Sequence, residues 1–170
     1  MRLIYMAALL FFSSSTDAQR YLLNNETVVF SFNTQNGKHV TLARDKSNSY
    51  IVYRYGTPDS VELEFPEKSK ESWKKFKYAW YLRGGGAANA GMDLNYFYFT
   101  TNGYRYYIYD VYYAEEKKYG IGVGVTDLKT NKTITIRGVK KTQKGTLINL
   151  RDNNLVERDE DMIDVGDINP

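Results

Sequence analysis

The chain has no cysteine, a single histidine and only three prolines in 170 residues. Without thiols there can be no disulfide framework, zinc ribbon, iron–sulfur cluster, thiol nucleophile or cysteine-linked lipid. Exported domains below about 80 residues ordinarily need disulfides, whereas about 150 residues can bury roughly two-thirds of the surface the unfolded chain exposes. The core must hold by packing alone, and the length suits one domain. The shortage of histidine weighs against nucleophilic catalysis, which places a base beside a Ser, Thr or Cys. His39 follows the Asn36-Gly37 turn on a strand whose Val40 and Leu42 face inward, so alternation predicts that it lies on the solvent face. Neither a Gly-x-Ser-x-Gly elbow nor a Gly-Lys-Ser/Thr phosphate loop is present.

Apolar runs of membrane-spanning length, about 20 residues, are missing too. The longest is Leu3 to Phe12, preceded by Arg2 and followed by the small polar stretch Ser13 to Ala18. That order is the positive, apolar and small-residue sequence of a secretory signal. Residues 1–18 are therefore read as a signal peptide cleaved before Gln19, with Thr16 and Ala18 as the small residues at the cleavage site. The expected location is outside the cytoplasm, periplasmic or secreted, with no transmembrane segment after cleavage.

Charge is unevenly divided. Residues 19–150 carry 20 Lys and Arg against 12 Asp and Glu, a net +8, and residues 151–170 carry two against seven, a net −5. The acidic end, with Asp159, Asp161, Asp164 and Asp167, is poor in large apolar residues and reads as a disordered tail. Its spacing is not that of a calcium-binding loop, and no metal or other cofactor is expected.

What the chain does have is strand after strand. Val28, Phe30 and Phe32 alternate, Asn36-Gly37 signals a type I′ hairpin turn, and alternation returns from Lys38 to Arg44 and from Ser49 to Tyr55. After the turn at 56–60, Val61, Leu63 and Phe65 share a face, and Pro66 stops the strand. A short helix or wide loop is expected over Glu67–Lys75, then strands at 76–83, 93–100, 104–113, 119–126, 133–137 and 146–150. About nine or ten antiparallel strands with regular turns give an all-β domain over residues 19–150. A meandering barrel is favoured over a sandwich because closure removes exposed edges.

Three groups of residues are candidates for chemistry. Glu62 and Glu64 lie on one strand face, roughly 7 Å apart at two residues' rise, a spacing open to a glycosidase pair. Alternation turns them toward water, away from Val61, Leu63 and Phe65. The glycine cluster, Gly84-Gly85-Gly86-Ala-Ala-Asn89-Ala-Gly91, lets a backbone approach a partner closely and offers Arg83 and Asn89 as polar groups. The third is tyrosine, sixteen in all, of which Tyr96, Tyr98, Tyr104, Tyr106, Tyr107, Tyr109, Tyr112 and Tyr113 crowd into one hairpin. Both faces of that hairpin are aromatic. One can be core, and the other suits sugar stacking or a protein interface. Basic residues at Lys68, Lys70, Lys74, Lys75 and Lys77, and at Arg137, Lys140, Lys141 and Lys144, imitate a nucleic-acid platform, but export argues against nucleic acid. Asn25-Glu-Thr27 and Asn131-Lys-Thr133 are glycosylation sequons.

The strings Asn36-Gly-Lys-x-Val-x-Leu42, Tyr50-x-Val-Tyr-Arg-Tyr-Gly56, Val61-Glu-Leu-Glu-Phe-Pro66 and Arg83-Gly-Gly-Gly-x-x-Asn-x-Gly91 together resemble a group of small exported bacterial all-β proteins without an assigned activity. The resemblance implies a bacterial envelope or secreted location and carries no catalytic residues. Asn102-Gly-Tyr-Arg-Tyr106 is also similar to the Ser-Gly-x-x-Tyr loop of bacterial periplasmic lysozyme inhibitors, with Asn in place of Ser. The expectation is thus a non-enzymatic exported domain that binds an envelope protein or glycan. Its site would comprise Arg83, Gly84, Gly85, Gly86, Asn89, Gly91, Tyr98, Asn102, Tyr104 and Tyr106. A lysozyme-inhibitor-like protein and a carbohydrate-active enzyme are the alternatives.

Overall fold

The computed structural model describes residues 21–159, so the signal peptide expected over residues 1–18 lies outside the described residues. Strands β1 (Glu26–Asn33), β2 (His39–Asp45), β3 (Ile51–Thr57) and β4 (Ser60–Phe65) come first. After a 3-10 segment at Lys70–Lys75 follow β5 (Lys77–Arg83), β6 (Met92–Thr101), β7 (Tyr104–Tyr113), β8 (Lys118–Asp127) and β9 (Thr133–Arg137). Two short strands end the chain, β10 (Lys144–Gly145) and β11 (Glu157–Arg158).

The protein is all-β, as the alternation predicts, but the strands divide between two open sheets. One runs β10-β1-β2-β3-β4 and the other β11-β5-β6-β7-β8-β9, antiparallel throughout except where β11 lies parallel to β5. Neither closes into the barrel favoured from the strand count. At one seam the backbones of the two sheets meet in an isolated bridge between Thr34 and Gly138, where Gln35 donates to the Arg137 carbonyl and Val139 to the Asn33 carbonyl.

The inner faces supply the core. Phe30, Phe32, Val40, Leu42, Ile51 and Tyr53 of the first sheet meet Tyr78, Phe97, Phe99, Ile108, Ile121 and Val123 of the second. At the edge opposite the bridged seam, Phe65 stacks on Phe99 with centroids 4.3 Å apart, and Phe99 in turn stacks on Tyr106 at 5.0 Å. Each such ring contributes about 1.5–3 kcal/mol by leaving water.

Turn chemistry separates two Asn-Gly pairs that look alike in sequence. Asn102 (φ 50°) and Gly103 (φ 78°) are both left-handed between paired Thr101 and Tyr104, the two-residue type I′ arrangement. At the first hairpin only Gly37 is left-handed, and the loop runs from Thr34 to Lys38, held by the Thr34 hydroxyl. The type I′ expectation there is corrected. So is the strand expected at 146–150, where Leu147–Leu150 form a 3-10 turn that buries Leu147 and Leu150.

The outer faces are covered by the chain itself. On the first sheet, the segment from Tyr21 lies over buried Arg54. That guanidinium donates to the Tyr21 carbonyl (3.0 Å), to both oxygens of Glu26 (2.6 and 2.8 Å) and to Glu64 (2.6 Å). Glu64, expected to face water, is thus partly buried in an ion pair, and it also binds Lys68. His39 sits half-buried, edge-on to the Tyr21 ring at 4.7 Å, with Nδ1 2.7 Å from Asn33 Oδ1. Burial, with Lys144 nearby, lowers its pKa from the ordinary histidine value.

On the second sheet, Tyr107 pairs with Gly124 and Tyr109 with Gly122. Both tyrosine rings lie across these glycines, where a Cβ on either would collide with them. Tyr107 and Tyr109 are buried in this way, and Tyr96 and Tyr98 are buried in the same cluster with Ala79, Leu94 and Val111. The end of the chain also docks as far as it is described. Asp159 N–H donates to the Tyr78 carbonyl, the Tyr98 hydroxyl donates to the Asp159 carboxylate, and Lys77 pairs with Glu157. Within the segment read as a disordered tail, residues 157–159 are therefore built onto the edge of β5.

Candidate functional site

The inner face of the second sheet changes character along β6 and β7. Phe97 and Phe99 are core, but two and four residues earlier on the same face come Asn95 and Asp93. Across the ladder Asn95 pairs with Asp110 and Asp93 with Tyr112, and Tyr112 pairs with Tyr119 of β8. Polar groups placed on a core-facing row must be satisfied or serve a ligand. Here they line a cleft of about 290 Å³ closed by Lys140, Gln143, Thr146 and Ile148.

One wall is a hydrogen-bonded network centred on Asn95, in which Arg151 Nε alone is buried without an acceptor. The Tyr78 hydroxyl donates to Asn95 Oδ1 (2.6 Å), which also receives Arg151 Nη2 (2.9 Å). Asn95 Nδ2 donates to Asp93 Oδ1 (2.7 Å) and to the Asp110 carbonyl (3.0 Å). Arg151 pairs with Asp93 and lies 4.7 Å over the Trp80 ring. Burial pushes the Tyr78 hydroxyl well above the usual tyrosine range.

The other wall is not closed. Asp110 is only 8 % exposed. Its Oδ2 accepts from the Thr146 hydroxyl (2.8 Å) and from Leu147 N–H (3.3 Å). Its Oδ1 accepts no hydrogen bond among the described residues; the nearest cation is Lys140 Nζ, 3.8 Å away. Gln143 Oε1, also in the lining, is buried without a donor. Tyr112 and Tyr119 stack at 4.2 Å, and Lys140 Nζ stands 4.8 Å over the Tyr119 ring. The cleft thus offers acceptors and an aromatic face, with one lysine shared between them.

None of the ten residues expected to form the site lines this cleft. The glycine segment folds on itself. Arg83 Nε donates to the Ala90 carbonyl (2.9 Å), Asn89 Nδ2 to the Gly84 carbonyl (2.9 Å) and Gly91 N–H to the Gly86 carbonyl (2.8 Å). Gly85 and Gly86 take left-handed φ to make the turn. Its polar groups are spent internally, although the loop leads directly into Asp93. Tyr98 is buried on the outer face, Tyr106 is stacked in the core, and Asn102 and Tyr104 lie at the far end of the hairpin. The glycine loop and the 102–103 turn sit at opposite ends of β6, as the strand length requires.

The missed residues had a signal. Asp93 and Asn95 share a face with Phe97 and Phe99, and Asp110 shares one with Ile108. Polar residues in phase with a core row are the informative exception to alternation. Among the described residues no group of histidine, aspartate and glutamate side chains could hold a metal, and no helix is long and apolar enough to cross a membrane. No family model, curated protein or solved structure matches the chain.

Proposed function

We propose that this is a non-enzymatic exported domain of the small bacterial all-β group, periplasmic or secreted. It binds an envelope or extracellular protein or glycan through the cleft between β6–β8 and the segment 140–148. The observation that carries this reading is the buried Asp110 carboxylate, with one oxygen held by the fold and the other open to the cleft. A carboxylate oxygen that the fold leaves without a donor, at the mouth of a cleft, is free to accept from a ligand. The stacked Tyr112 and Tyr119 beside it give an apolar contact with polar tips, a surface suited to recognition.

A carbohydrate-active enzyme has one observation in its favour, since two carboxylates, Asp93 and Asp110, line the same cleft. Asp93 is neutralised by Arg151 and Asp110 is anchored by Thr146 and Leu147, an arrangement that favours holding over proton transfer. Lysozyme inhibition would need Tyr106 presented at the 102–106 turn, and its stacking on Phe99 speaks against that reading.

The test is capture of partners from envelope extract by the intact exported chain. Asp110→Asn and Tyr119→Ala should abolish capture, and deletion of Ala87 to Ala90 should leave it unchanged. Loss in the loop deletion, with the cleft variants intact, would reverse the assignment.

A further inference from the structure

Resting on the cleft as a binding site, we infer that its ligand presents a primary alkylammonium group, and that Lys140 occupies that group's seat as a tethered stand-in. Lys140 Nζ lies 4.8 Å over the Tyr119 ring and 3.8 Å from Asp110 Oδ1. An aromatic face and a carboxylate converging on one cation is the arrangement that recognises ammonium groups.

The remaining groups agree. The wall formed by Asp93, Arg151 and Asn95 is closed in charge and in hydrogen bonds around Asn95. On the open side the unfilled group is an acceptor, Asp110 Oδ1. An ammonium brings three donors and no acceptor. A neutral polyol could donate to Asp110 Oδ1 but would bring no charge to pair with the carboxylate or to stand over the Tyr119 ring.

Charge points the same way. Asp93 is cancelled by Arg151, and Asp110 is cancelled only while Lys140 stays beside it. When Lys140 swings away, the Asp110 carboxylate has no cation beside it, a charge that an incoming cation would offset. The Lys140 side chain is 45 % exposed and is held by a 3.8 Å pair, well short of a tight ion pair, so it leaves readily for water. Tyr112 cannot offer an equivalent seat on its inner face, because Tyr119 is stacked against it.

The same group can come from a lysine side chain of a protein partner or from a free polyamine. The experiment titrates the intact exported chain by calorimetry with cadaverine, with Nα-acetyl-lysine amide and with the neutral 1,5-pentanediol. Both amines should bind the wild type weakly and Lys140→Ala at least tenfold more tightly, and the diol should bind neither. Adding Tyr119→Leu to Lys140→Ala should remove the gain; Tyr119 is largely exposed, so this variant keeps its fold. The tighter of the two amines identifies the carrier. Equal binding of diol and amine, or no gain on removing Lys140, overturns the ammonium assignment. If partner capture still depends on Asp110 and Tyr119 in that case, the cleft remains the binding site with a different ligand. If capture is also indifferent to them, both readings fall.

Discussion

The ring of Tyr107 lies flat across Gly124 on the neighbouring strand, in the space a β-carbon would fill. Tyr109 does the same at Gly122. The sequence Gly120-Ile-Gly-Val-Gly124 therefore has two jobs in β8. Ile121 and Val123 face the core, and the glycines between them accept aromatic rings from β7. The chain itself thus buries Tyr107 and Tyr109 on the outer face of the tyrosine-rich hairpin.

Gly124→Ala should accordingly destabilise the domain by about 1–3 kcal/mol, the usual cost of overpacking, although glycine is normally a poor strand residue. In the double variant with Tyr107→Ala the two losses should not add, with a coupling of about 0.5–3 kcal/mol. Denaturant midpoints of the four proteins measure it. Full additivity would mean that ring and glycine are not in contact.

Arg54 and Glu26 make a second prediction. Both side chains are almost fully buried, and Glu26→Gln leaves Arg54 with Glu64 and the Tyr21 carbonyl as its partners. Glu26→Gln should cost about 1–3 kcal/mol at neutral pH. Burial alone would raise the Glu26 pKa, but hydrogen bonds from Arg54, Leu23 N–H and the Tyr50 hydroxyl outweigh it and lower it. A depressed folded pKa adds stability above the unfolded value, about 4.3, and that stability is lost as pH falls through the folded pKa. Wild type should therefore lose more stability than Glu26→Gln between about pH 5 and about pH 2. Parallel pH profiles would contradict this.

Truncation after Leu150 should lower stability by about 2 kcal/mol or more. It removes the Arg151 ion pair with Asp93, the packing of Val156 against the core and the β11 pairing with β5. Thermal melts of the truncated and intact chains decide it, and an unchanged midpoint would mean that these contacts do not hold the tail. Arg151→Met alone should reproduce part of the loss.

Arg83→Ala and Asn89→Ala should make the glycine loop easier for a protease to cut, because each removes a bond that folds the loop on itself. Partner binding should not change. A loss of binding in either variant would return the loop to the site.

Much of the fold could be read from residue order. Strands β7 and β9 have the expected bounds, and alternation identified Phe30 and Phe32 of β1 and Val40 and Leu42 of β2 as inward. A register shift between Val28 and Phe30, however, puts Val29 in the core in place of the expected Val28. What could not be read depends on distant partners. Whether ten strands close or split is decided by contacts such as Thr34–Gly138, which lie far apart in sequence. The 146–150 segment looks like a strand in isolation, but Asp110 draws the Thr146 hydroxyl and Leu147 N–H to itself. The cleft escaped notice for a related reason. The glycine cluster and the tyrosines are conspicuous by composition, while Asp93, Asn95 and Asp110 stand out only once their phase relative to Phe97 and Ile108 is followed.

The most direct test of the central claim is hydrogen exchange on the chain with and without its captured partner. The account predicts new protection in β6 and β7 around Asp93 to Asn95 and Asp110 to Tyr112, and in the segment 140–148. Gly84 to Gly91 and the Asn102–Gly103 turn should be unchanged. Protection confined to the glycine loop or that turn, with the cleft unaffected, would contradict it.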